Sequence, residues 1–187
     1  MNNTRTKILE IAKDLIHRVG INAMSYQHIS DAVGIRKASI HHHFPKKEHL
    51  VEELIKQCQV SYGNNYQHIV EGPEPAPEKL RQLAGVFKEG LQKEQLCLVG
   101  AISTDLNTLQ GNSRSILEET IQNTVDIYAV TFKQGQEEDS LSFTGTVEES
   151  AYAFFSFLVG MQIVARVNGG PKAFHHATEV IISGLAK

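Results

Sequence analysis

The sequence predicts an all-α fold in which a short N-terminal three-helix domain precedes a larger helical domain. Three observations carry that expectation. Apolar residues recur at three- and four-residue spacing through most of the chain, Gly and Pro clusters interrupt them at helical lengths, and the two-residue alternation of a half-buried strand is nowhere sustained. A hydrophobic share of 41% against 21% charged residues fits a globular chain rather than a disordered one.

The first helix is read from Ile8, Ile11, Ala12, Leu15, Ile16 and Val19, with Gly20 at the position of a terminating glycine. A second, shorter helix follows Ser25 as N-cap, carries Ile29, Ala32 and Val33 on one face, and closes at Gly34. After a turn of about two residues, a third runs from Lys37 to Phe44, where Pro45 stops it. Two short helices joined through a glycine-bearing turn form a helix-turn-helix. Ile29, Val33, Ile40 and Phe44 are expected to bury against Leu15 and Val19 and so set the angle between them. A long amphipathic helix then runs from Lys47 to about Tyr66, and the proline-rich stretch 71–77 is a loop. Further helices are expected at 78–93, 97–109, 113–135, 146–168 and 171–186. The domains read as 1–50, with a reading motif at about 27–46, and 51–187.

Charge separates the same two regions. Residues 1–50 hold eight Lys/Arg, four Asp/Glu and six of the nine histidines, whereas the remainder holds ten Lys/Arg and seventeen Asp/Glu. A basic head on an acidic body is the distribution expected when one end meets phosphate. The two cysteines, Cys58 and Cys97, form no C-x-x-C pair, so a reducing cytoplasm is the expected setting. The charged first twenty residues do not read as a signal peptide. The longest uncharged stretch, 150–165, is shorter than the ~20 apolar residues of a membrane span and reads as a buried helix, so no membrane partner is expected. No cofactor-binding pattern is read. His41, His42 and His43 do not form a metal site, because neighbours on a helix point ~100° apart and cannot converge on one ion.

The most informative stretch is Gln27-His-Ile-Ser-Asp-Ala-Val-Gly-Ile-Arg-Lys-Ala-Ser-Ile-His-His-His-Phe-Pro-Lys46, followed by Lys47-Glu48-His49-Leu50. Ile29, Ala32, Val33, Gly34, Ile35, Lys37, Ser39, Ile40, His43, Phe44, Lys47, Glu48 and Leu50 fall in register with the head of the TetR/AcrR family of bacterial repressors, which the first ~60 residues resemble. The resemblance implies a dimeric, ligand-responsive repressor that binds palindromic double-stranded operator DNA. By the same resemblance Gln27, Lys37 and Ser39 line or read the major groove, while Tyr26, His41, His43 and Lys47 touch the DNA backbone. Arg36, His42 and Lys46 complete the expected DNA-facing set, with Lys46 and Lys47 adding charge at the start of a helix. Two positions depart from the family pattern: His41 stands where tyrosine is common and Ala38 where glycine or proline is common.

Beyond residue 50 the resemblance is one of helical layout, with one exception. Leu96-Cys97-Leu98-Val99-Gly100 and Asp105-Leu106 resemble a segment of relatives that sense electrophiles, with leucine and aspartate replacing a glycine and a glutamate. Cys97 is therefore either inert packing or a redox- and electrophile-responsive thiol, and a cysteine-dependent enzyme is the remote alternative to a repressor. No catalytic residue is assigned. An unidentified small-molecule inducer is expected in a cavity lined by Tyr62, Tyr66, Phe87, Leu91, Cys97, Ile102, Tyr128, Phe132, Phe155 and Met161. The last two helices read as a homodimer interface through Phe154, Leu158, Phe174, Ala177, Val180, Ile181 and Gly184, pairing into a four-helix bundle.

Overall fold

The computed structural model describes residues 2–109 and 111–187, leaving the side chains of Asn2 and Asn3 aside. These residues are helical almost throughout: α1 (Asn2–Ala23), α2 (Tyr26–Val33), α3 (Lys37–His43), α4 (Lys47–Glu71), α5 (Ala76–Gln92), α6 (Leu98–Ser103), α7 (Ser113–Glu137), α8 (Val147–Val167) and α9 (Gly170–Leu185), with one 3-10 turn at Leu106–Thr108. The β-pairing among them is an isolated antiparallel bridge between Leu141 and Ala186. The all-α class read from the spacing is what the chain adopts.

Two compact units emerge. The first comprises Met1–Gln59 and Leu98–Thr120, the second Val60–Cys97 and Ile121–Lys187. The expected division at residue 50 therefore shifts into α4, and the first unit also takes in a distant segment containing α6. Packing of that segment against α1 is a tertiary contact that no local pattern announces.

In the first unit, α1 buries Ile8, Leu9, Ala12, Ile16 and His17, while Ile11 and Leu15 are half-buried. Val19 is exposed, against the expectation that it packs under the helix-turn-helix. The reason is Gly20, whose φ of 79° and ψ of 173° break the helical phase, so that Ile21 and Met24 supply the buried contacts beyond it. The Ser25 hydroxyl accepts the His28 N–H at 3.2 Å and starts α2 as expected. Gly34 ends it in the left-handed conformation, φ 76° and ψ 34°, donating its N–H to Ser30 O at 2.9 Å. A Cβ there would meet nothing within 4 Å, so the requirement for glycine is one of backbone conformation alone. The buried Ser30 donates its hydroxyl to Ile35 O at 2.7 Å and locks the turn from inside. Ile29, Ile40 and Phe44 are buried as expected, but Val33 is half-buried and Ala32 exposed.

The expected helix 97–109 is divided: α6 ends at Ser103, and Asp105 turns the chain. Its carboxylate accepts the Asn22 backbone N–H at 3.0 Å and side-chain amide at 2.7 Å, an attachment to the end of α1 that outweighs helix continuation.

The second unit is organised by α5, α8 and α9, which pack on one another. Thr146 and Glu149 form a reciprocal capping box at the start of α8. The buried Lys79 donates to Val70 O at 2.7 Å and Gln134 Oε1 at 2.6 Å, closing the end of α4 onto α5 and α7. The buried Gln162 of α8 uses both ends of its amide, donating to Phe87 O at 2.9 Å and accepting the Cys97 N–H. By length and composition α8 is long and apolar enough to cross a membrane, longer than the uncharged stretch suggested. One side of it is core, because Phe154, Phe155, Leu158 and Ala165 are buried, whereas Tyr152, Ile163, Val164 and Val167 are exposed.

Candidate functional site

Three elements of the first unit present the basic motif. α2 and α3 are held by Ile29, Ile40 and Phe44, and the Tyr26 hydroxyl donates to Phe44 O at 2.8 Å, closing the end of α3. Burial, with Glu48 nearby, pushes the Tyr26 phenol up to about 12, so it stays a neutral donor. Arg5 adds a fastening that the motif gives no hint of: its guanidinium lies 5.0 Å from the centre of the Phe44 ring and 3.4 Å from Glu53. The position of Arg5 in α1, 39 residues before Phe44, carries no local signal of this contact.

On this frame Gln27, Arg36, Lys37, Ser39, His41, His42 and Lys46 are exposed and His43 is half-buried. Gln27 donates to Asp31 at 2.8 Å, one turn further along α2. Ile40 is the buried residue of α3, so the rest of that helix is turned outward by default. The His41 ring meets Tyr26 edge-on at 4.8 Å, and its Nδ1 lies 3.4 Å from Pro45 O.

Two of the expected DNA-facing residues are drawn inward. Tyr26 is buried, with its hydroxyl engaged as described. Lys47 turns back to donate to Ile21 O at 2.5 Å and Met24 O at 2.7 Å, the carbonyls where α1 ends. Partial burial lowers the Lys47 pKa, against the opposing charges of Asp105 and Glu48. Carbonyls at a helix end accept such donors, and the Lys47 ammonium supplies one to each of these two. Lys47→Met is therefore expected to lower the unfolding free energy by about 1.5–3 kcal/mol, the range for a hydrogen-bonded charge. It should leave the salt dependence of DNA binding unchanged. Denaturant titration together with binding at several salt concentrations checks this; a salt slope shallower by about one unit with stability intact would make Lys47 a phosphate contact after all.

The residues expected to line an inducer cavity divide three ways. Tyr66, Phe87, Leu91, Tyr128, Phe132 and Phe155 are buried in the second unit, where rings meet in sequence: Tyr66 with Tyr128 at 5.3 Å, Tyr128 with Phe155 at 5.8 Å, and Phe155 with Phe87 at 6.3 Å. Edge-to-face contacts at these spacings are those of a packed cluster. Burial holds the Tyr128 phenol well above its ordinary range, with the Tyr66 hydroxyl opposing the shift. Tyr62, Cys97 and Met161 are half-buried in the same unit. Ile102 is a correction: it belongs to α6 and is wholly buried in the first unit. A groove of about 700 Å³ in the second unit lies elsewhere, among Phe132, Phe143, Phe154, Phe157, Ile181 and Leu185. Of the ten expected residues, Phe132 alone lines it.

The expected dimer residues also separate. Phe154, Leu158 and Phe174 are buried within the protomer's own second unit, while Val180, Ile181 and Gly184 are exposed and Ala177 half-buried. Both helices are apolar on more than one face, and spacing alone does not say which face meets its own chain. Ile163, on the apolar face expected for this helix, is exposed, as are Tyr152, Val164 and Val167, which the spacing did not single out.

Comparison with known proteins adds four findings. Residues 8–54 match the model for bacterial regulatory proteins of the tetR family. A stretch of 66 residues, 35% of the chain, is 36% identical to the HTH-type transcriptional repressor KstR2 of Rhodococcus jostii, and it spans 32% of that curated relative's length. Over the whole chain, the structure of a transcriptional regulator of the TetR family from Agrobacterium tumefaciens superposes with a TM-score of 0.94 at 26% identity, covering 100% of this chain and 99% of the other. A regulator from Saccharomonospora viridis, solved in complex with choline, shares the fold with a TM-score of 0.83 at 20% identity and complete coverage of both chains.

Proposed function

We propose that the chain is a member of the TetR/AcrR family, as the match of its residues 8–54 and the likeness of its fold support, and that it is a homodimeric, cytoplasmic transcriptional repressor released from palindromic operator DNA by a small-molecule inducer. The observation that carries the reading is the outward face of α3. Lys37, Ser39, His41 and His42 are exposed on a seven-residue helix whose position is set from behind by Ile40, Phe44 and the Tyr26 hydroxyl. A short, rigidly held helix with an outward polar face is what a major groove accepts. Lys37 and Ser39 on α3, with Gln27 on α2, are the base-reading residues, and Arg36, His41, His42, His43 and Lys46 approach the phosphates.

Dimerisation rests on the exposed apolar residues of α8 and α9, among them Val167, Val180 and Ile181. Two such pairs of helices bury these faces together in a four-helix bundle, and this accounts for an apolar α8 without a membrane. Two heads then meet half-sites separated by one helical turn of DNA, about 34–36 Å, or a multiple of it. The inducer is assigned to the second unit, whose apolar groove has a volume within the range of small-molecule sites.

Selection of bound sequences from a random DNA pool tests the reading. A palindromic consensus is expected, and Lys37→Ala should change the preferred base at one position of each half-site at a cost of about 1–3 kcal/mol. Recovery of no consensus from the parent protein would overturn the assignment.

A further inference from the structure

We propose that the DNA-facing surface of the first unit takes up protons as it binds, so that operator affinity is coupled to pH through His41 and His42. The proposal rests on the DNA-binding reading above and adds to it a regulating ligand, the proton.

The permanent charge of this surface is thin. Between Gln27 and His49 the exposed cations are Arg36, Lys37 and Lys46, because the Lys47 ammonium is engaged by Ile21 O and Met24 O. Asp31 on α2 and Glu48 on α4 oppose them. The same interval holds five imidazoles: His28, His41, His42 and His49 are exposed and His43 is half-buried. Imidazole is the side chain that exchanges a proton most readily near neutral pH.

The geometry shows why binding and protonation reinforce each other. His41 Nδ1 lies within reach of Pro45 O, and the edge-on Tyr26 ring holds the imidazole from the side. With the Nδ1 proton directed at that carbonyl, a neutral ring leaves Nε2 as a bare acceptor, which a phosphate oxygen repels; the protonated ring offers Nε2–H as a donor. The Tyr26 hydroxyl is already engaged by Phe44 O and supplies no alternative donor. His42 and His43 have ring centres 5.5 Å apart, so two charges there repel in the free protein and are relieved when phosphates approach. A charged form that DNA stabilises and the free protein does not is the condition for proton uptake on binding.

The sign follows directly: affinity rises as pH falls. Fluorescence anisotropy with the selected operator at constant ionic strength is expected to show about tenfold tighter binding at pH 6.0 than at pH 7.5, corresponding to an average net uptake of about two-thirds of a proton across that interval. The double variant His41→Gln/His42→Gln should lose at least half of that dependence with an unchanged circular dichroism spectrum. Parent affinity constant within twofold, or a double variant that keeps the full dependence, overturns the proposal. If the double variant binds too weakly to measure, calorimetry of the parent in phosphate and Tris buffers decides: net proton uptake supports the proposal and none overturns it. Absence of sequence-selective binding at every pH is a different result and refutes the DNA-binding reading itself.

Discussion

Val180→Asp is expected to convert the protein to monomers and to weaken operator binding by about a hundredfold or more. Val180 is 72% exposed in the protomer, so the substitution leaves the protomer's own packing undisturbed. In a four-helix bundle of two α8–α9 pairs the new carboxylate would be buried without a partner, at a cost of several kcal/mol. About 2.7 kcal/mol already corresponds to a hundredfold. Loss of the dimer also removes the second head, and one head alone has few phosphate contacts. Analytical ultracentrifugation with parallel operator titration measures both effects. A stable monomer that binds the full palindrome as tightly as the parent would refute the dimer assignment, and a variant that stays dimeric would move the interface off this face of α9.

Gln162→Leu is expected to lower the unfolding free energy by about 2–4 kcal/mol, because it removes both hydrogen bonds of a buried amide, the one to Phe87 O and the one from the part-buried Cys97 N–H. In a chain of this size that corresponds to a fall in Tm of about 5–12 °C. The leucine fills nearly the same space, so the loss reports hydrogen bonding rather than a cavity. Gln162 is one of the few polar residues of α8 and reads in the sequence as an interruption of an apolar face; in the structure it joins α5, α8 and the turn before α6. Thermal unfolding followed by circular dichroism decides the matter, and a change of less than about 0.5 kcal/mol would show that neither backbone group depends on the amide.

The relatives support neither cysteine-based alternative. Cys97 is half-buried, with its backbone N–H held by Gln162, and Cys58 is buried within the first unit.

Where sequence reading succeeded, the signal was local. Ser25 and Gly34 bracket α2 because capping and left-handed backbone are decided by one residue and its immediate neighbours. The expected start of the helix at 146 is likewise close to that of α8, Val147. Where it failed, two solutions were locally equivalent. Val19 continues the apolar spacing of α1, yet it is exposed because Gly20 changes the direction of the chain. Phe154 and Val180 are both apolar helix residues, and nothing in their spacing says which faces the protomer's core.

The sequence by itself determined the order of the helices, apart from the division of 97–109, and the helix-turn-helix, since periodicity, caps and breakers act over a few residues and the Gln27–Leu50 pattern is one continuous stretch. Only the tertiary structure decided what each polar group does. Lys47 could meet a phosphate or the end of α1, and the carbonyls of Ile21 and Met24 lie within its reach. Asp105 could extend a helix or cap Asn22, 83 residues away in the chain, and the double hydrogen bond prevails. Ile102 could line a cavity or support the head, and burial of α6 against α1 places it in the first unit. Each choice turns on a partner distant in sequence, brought near by burying apolar surface, a global property that no local window contains.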